Sequence, residues 1–135
     1  VPTTCYIEIL AVQRPFPVTE DENNRTLFSV NFLATSHGAV SEWEEDVVRI
    51  CVTAGVPLVL DVDTFIGRKK VPDGAGPFTS VIDTGGTAPL ETHDGDRMER
   101  LSAQLIVRGA YPAARLRAQQ IYDALDGTRN VTVVA

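Results

Sequence analysis

Between Leu101 and Gly127 the hydrophobic period of the chain changes once and sharply. Leu101, Ala103, Leu105 and Val107 alternate with Ser102, Gln104 and Ile106, the period of two that marks a half-buried strand. Past Gly109 the period lengthens: Ala114, Ala118, Ile121, Tyr122 and Leu125 form one stripe of an amphipathic helix. Pro112 suits a first helical turn, where no amide donor is needed, and Asp126-Gly127 supplies a stop. Trp43, Val47, Ile50, Cys51 and Ala54 repeat the stripe in a second helix, opened by a Ser41-x-x-Glu44 capping box and closed by Gly55.

The other apolar runs read as strands. Residues 4–12 place Tyr6, Glu8, Leu10 and Val12 on one face and Cys5, Ile7, Ile9 and Ala11 on the other. Pro15 and Pro17 end that strand, and an acidic loop leads to a second one over residues 26–34, where Phe28, Val30 and Phe32 oppose Leu27, Ser29 and Asn31. These two are expected to pair antiparallel. Residues 56–67 have strand character after Pro57, residues 78–83 form a short strand, and residues 130–134 another. Gly85-Gly86 reads as a sharp turn opening a long polar loop over residues 85–97. Two helices and about six strands, the strands consecutive, predict an α+β fold: a mainly antiparallel sheet with both amphipathic helices packed on one face. The opposite face is then partly polar and available for assembly.

Composition narrows the picture. At 135 residues, 44% hydrophobic and 22% charged, the chain reads as one domain over 1–135 that buries roughly two-thirds of its unfolded surface. No apolar run approaches the roughly 20 residues of a membrane span, and the chain reads as soluble and unsecreted. A net charge of −6 argues against binding to a nucleic-acid backbone. The one basic cluster, Arg68-Lys69-Lys70, reads as a solvated loop. Cys5 and Cys51 read as two packed thiols, with a disulfide left open.

Candidate chemistry is sparse. An apolar run into Asp61-Val62-Asp63-Thr64 resembles the first motif of haloacid-dehalogenase-type phosphotransferases, in which Asp61 would be the nucleophile, Asp63 the acid/base and Mg²⁺ the metal. That family also needs a parallel sheet with crossover helices, a later Lys and a later acidic pair, and the pattern here supplies no crossover helices. Two Asp residues at a strand end are more often simply solvent-exposed. His93-Asp94-x-Asp96 falls in the polar loop, away from His37, and reads as loop rather than metal ligands. With no triad and no phosphate-cradling loop, neither enzyme activity, metal nor cofactor is expected.

Several stretches together resemble the minor capsid, or tail-terminator, proteins of tailed bacteriophages. They are Val81-Ile82-Asp83-Thr84-Gly85-Gly86, residues 104–109, residues 111–127, and residues 6–32 with Gln13-x-Pro15-Phe16 and Asp21-Glu22-x-x-Arg25. The resemblance implies a homo-oligomeric ring, typically a hexamer, on the head-proximal end of a tail tube. There it would stop tube polymerisation and join tail to head, with the tail-tube protein and a head–tail connector or stopper as partners. Genomic DNA would pass the lumen without specific binding, no membrane would be involved, and the protein would reside in the virion after assembly in the host cytoplasm. Another neck or head-completion role is the nearest alternative.

Candidate assembly contacts on that reading are Arg14, Phe16, Glu20, Asp21, Glu22 and Arg25 around the first loop, Glu91, Asp94 and Asp96 in the second, and Arg115 and Arg117 on the helix. The element order departs from the family, whose closing strands come first here, so the chain is either circularly permuted or numbered from a rotated start. Either way residues 130–134 should share a ladder with residues 4–12.

Overall fold

The computed structural model describes residues 3–20, 25–38, 40, 42–67, 70–72, 74, 76–91 and 97–134. In chain order these form β1 (Thr3–Ala11), β2 (Phe16–Glu20), β3 (Thr26–His37), α1 (Trp43–Thr53), β4 (Thr64–Ile66), β5 (Phe78–Glu91), β6 (Arg97–Gly109), α2 (Tyr111–Leu125) and β7 (Thr128–Val134). One curled sheet runs β4-β5-β6-β3-β1-β7, with β2 on β3 beside β1. Every pairing is antiparallel except β4 with β5. The α+β architecture follows from consecutive hairpin-linked strands whose apolar face two amphipathic helices cover.

β3 is the spine. It pairs with β6 along its whole length, from Thr26 opposite Gly109 to His37 opposite Met98. Its core side presents Phe28, Val30, Phe32 and Ala34 beside Val107, Leu105 and Ala103 of β6 and Val81 of β5, all buried. Onto this surface α2 lays Ala114, Ala118, Ile121 and Leu125, and α1 lays Trp43, Val47, Ile50 and Cys51, completing one hydrophobic cluster. Two alanines in the α2 stripe let that helix approach the sheet closely. Gly127 ends it at φ 77°, donating to the Ile9 carbonyl, while Asp126 accepts from the Ala11 amide. The helix end is thereby tied to β1.

Several expectations need correction. The face assignment of β1 fails midway: Tyr6 and Ile9 are both fully buried, three residues apart. The ladder with β3 slips between Tyr6 and Glu8, so Ile7 is the extra residue of a β-bulge and the strand changes phase there. β7 follows the change at Asn130 (φ 52°), which lies between the partners of Tyr6 and Glu8.

β1 ends at Ala11, ahead of Pro15 as expected, but the proline pair does not close off pairing: Pro17 lies within β2, which pairs with β3 at the sheet edge. There a proline's missing donor can face outward without leaving a ladder bond unmade. Ala54 is exposed, and its place in the α1 stripe goes to Asp46. The capping box does not form as expected: Glu42 is the N-cap with no side-chain cap bond, Glu44 accepts from the Asp83 amide at 3.3 Å, and Ser41 lies outside the described residues.

The stretch over residues 56–67 is mostly turn, with only β4 as strand. Gly85-Gly86 is no hairpin end; β5 runs on to Glu91, and only residues 92–96, outside the described set, separate it from β6. Gly86 (φ 111°) makes this possible, since a Cβ there would fall 2.2 Å from the Arg100 carbonyl oxygen. Two register shifts, at Asp83/Gly85 and Thr87/Leu90, absorb the irregular sequence. The expected ladder between the first and last strands is present: Thr4 faces Val133, Cys5 faces Thr132 and Tyr6 faces Val131.

Candidate functional site

The candidate contacts part company in the structure. Arg14, Phe16 and Glu20 are exposed along β2 and the approach to it, and Arg115 is exposed on α2. Arg25 is 9% exposed and donates from Nη1 to the Gly74 carbonyl at 2.9 Å. Arg117 lies 3.8 Å from the Asp63 carboxylate of its own chain, its side chain 12% exposed. Burial and these partners take Arg25 and Arg117 out of the set of surface contacts. Glu91 is the last residue of β5, while Asp21, Glu22, Asp94 and Asp96 lie outside the described residues.

The Asp61-x-Asp63 motif is a turn. Asp61 has φ 62° and its amide donates to the Thr64 carbonyl, while Asp63 Oδ1 accepts from the Val59 amide and the Thr64 hydroxyl, both at 2.8 Å. The Asp63 carboxylate thus holds the entry to a three-residue edge strand and leans toward Arg117. Among the described residues no three His, Cys, Asp or Glu side chains gather as metal ligands, and no helix is long and apolar enough to cross a membrane.

A buried polar network joins α1 to β1. The Tyr6 hydroxyl donates to Asp46 Oδ2 at 2.6 Å, and Arg49 bridges Asp46 Oδ1 at 2.9 Å and Glu42 at 3.0 Å. Burial, then the Asp46 carboxylate, pushes the Tyr6 phenol well above its ordinary range. Trp43 packs on Tyr6 with ring centroids 5.4 Å apart and donates its indole N–H to the Ser102 carbonyl. Cys51 is buried beside this network and its thiol is pushed up to about 12 by desolvation. Both cysteines are free. Asp46 was detectable in the sequence only as an acid placed on the apolar stripe, one turn after Trp43.

The opposite face of the sheet carries no helix and is open around Leu33, although Ser29 on the same side of β3 is buried. Leu10 and Leu33 are cross-strand partners there, 41% and 55% exposed, and Val12 continues the patch at 59%. Beside them the curl of β5 and β6 makes a hollow of about 530 Å³, floored by Leu10 and Leu33 and rimmed by Glu8, Arg100 and Thr87. A second groove, of about 310 Å³, runs between α1 and the edge strand β7 past Ile50, Ala54, Val131 and Val133. On the outer side of α2, Leu116 is 61% exposed next to Arg115. Exposed large apolar side chains are spread over several elements, Phe16 and Val18 on β2 and Val59, Leu60 and Val62 before β4 among them, while Leu10, Val12 and Leu33 lie together on one sheet face, and an apolar patch of that kind marks a contact surface. Comparisons with protein-family models, with curated proteins and with solved structures returned no match for this chain.

Proposed function

We propose that the protein is a structural virion component, a homo-oligomeric ring, six copies being the usual number, at the head-proximal end of a phage tail tube. It stops tube polymerisation with one ring face and presents the other to the head, whose connector or stopper protein is the second partner. The resemblance in the sequence suggests this role. The observation that carries it is the uncovered sheet face, with Leu10, Val12 and Leu33 left in solvent. A domain with a complete hydrophobic cluster on one side of its sheet has no internal use for a second apolar patch on the other, and burial against neighbouring copies removes it from water.

The role is geometric rather than catalytic. A net charge of −6 suits a passage that repels DNA and lets it slide. Acidic residues at the end of β5 and in the connection after it, Glu91, Asp94 and Asp96, are candidate partners for basic residues of a neighbour. Exposed pairs of this kind contribute about 0–1 kcal/mol each, so a ring must use many together. Negative-stain imaging of the purified protein with tail-tube subunits tests the reading: capped tubes of limited length are expected, and tubes that grow as if the protein were absent would refute it. A Mg²⁺-dependent phosphatase activity abolished by Asp61→Asn would replace it with an enzymatic one.

A further inference from the structure

The hollow on the open sheet face has a charge pattern as well as a shape. Arg129 of β7 faces Glu8 and pairs with its Oε2 at 3.3 Å, Glu8 faces Thr35 of β3, and Thr35 faces Arg100 of β6, so the four share one cross-strand row. Two strand spacings put Glu8 and Arg100 roughly 10 Å apart. The next row inward carries Leu10, Leu33 and Ser102, giving an apolar strip along a dipolar rim. An occupant that brings an apolar knob, an acid for Arg100 and a base that can share the Glu8 carboxylate with Arg129, at about that separation, fits the hollow.

The outer face of α2 has this pattern. Arg115 and Asp123 are eight residues apart, about 12 Å along a helix, and both are exposed with Leu116 and Gln119 on the same side. Gln119 donates to Asp123 at 2.9 Å, which fixes the acidic end. We infer that α2 of a second copy docks in the hollow, with Arg115 over Glu8, Asp123 over Arg100 and Leu116 against Leu10 and Leu33. The inference rests on the ring reading and names the surfaces that would build the ring.

Hollow and helix lie on opposite sides of the domain, one on the bare sheet face and one on the helix layer. The contact is consequently head-to-tail: each copy gives its helix to one neighbour and receives a helix from the other. Such a contact closes into a ring when the rotation per step divides a full turn. An amphipathic helix laid in an apolar groove is also a recurrent mode of protein recognition.

Two single variants test it, Leu33→Asp in the hollow and Leu116→Asp on the helix, read by sedimentation and on the ends of tail tubes. Both positions are exposed in the single chain, so each variant should melt with the wild type, and each alone should raise the self-association Kd by roughly thirtyfold or more, the scale of an interface hot spot. Mixed, the two should form a one-to-one heterodimer that grows no further, because each retains one working surface and these complement each other. Arg100→Glu should likewise weaken assembly, and adding Asp123→Arg in the same chain should restore it. Single variants that assemble as the wild type does, or that remain monomeric on mixing, would overturn the inference and leave the ring itself standing. A wild type that neither self-associates nor caps tubes would remove both.

Discussion

The two faces of the sheet are built from the same strands and obey different rules. On the helix side every large residue of β3 is buried, from Phe28 to Ala34, and the two helices close over them. On the other side the alternate residues of the same strand are a buried Ser29, a half-buried Asn31 and an exposed Leu33, with neither helix above them. The covered face is constrained by packing, in which a lost methylene is felt at once. On the proposed ring reading the open face is constrained by what docks there, and its apolar residues then matter to partners and hardly to the fold. Stability and assembly should therefore separate cleanly by face.

The sharpest test of that separation is Leu125→Ala. Leu125 is fully buried at the end of the α2 stripe, and its truncation should cost about 2–5 kcal/mol in chemical denaturation. A loss below about half a kilocalorie would place it among surface residues and erase the distinction.

Next in size is Asp46→Ala, which strands the buried Tyr6 hydroxyl and leaves Arg49 with Glu42 alone. About 2–3 kcal/mol is expected from hydrogen bonds to a charged group. A neutral result would mean that the network contributes nothing to docking α1 on β1.

A pH titration refines the point. Tyr6 stays protonated in the folded chain at a pH where the unfolded chain ionises it, from about pH 10. Because the folded form holds its proton more tightly, the stabilisation is complete below that pH and is lost as pH rises above it. Thermal melts taken upward from about pH 9 should fall more steeply for the wild type than for Tyr6→Phe. Cys51, raised for the same reason of burial, contributes a slope common to both. Identical slopes would remove Tyr6 as the cause.

The smallest expected effect is on the open face. Leu33→Ser should change stability by no more than about half a kilocalorie, as exposed substitutions do. A larger loss would show that Leu33 supports the fold after all.

How far the sequence announced all this depended on whether an element carried its own pattern. β6 and α2 were readable because seven alternating residues and then a helical stripe bury one side each, and the stripe of Trp43, Val47, Ile50 and Cys51 was readable for the same reason. The second half of β5 was not. Thr84, Gly85, Gly86 and Thr87 have no apolar alternation, and this stretch is a strand because β6 pairs with it. The bulge at Ile7 defeated a strict period of two, since one extra residue exchanges the faces of everything after it.

Among the candidate contacts, Arg14, Phe16, Glu20 and Arg115 are exposed. Arg25 and Arg117 were not legible as inward-facing, because their partners, Gly74 and Asp63, are 49 and 54 residues away and only the fold brings them close. The hollow itself depends on sheet curl, a property of several strands together that no single segment expresses.

The edges of the sheet have a consequence for the protein at the concentrations of a producing cell. β2 carries Pro17 and a register shift, the free half of β5 carries two, β4 is three residues long, and β7 is interrupted by Asn130 in a left-handed conformation. None of these edges offers the long flat row of donors and acceptors on which another chain could zip up unselectively. Newly made copies should thus accumulate without templating fibres from one another, and on the proposed ring reading attachment is left to side chains that can be counted, matched and saturated.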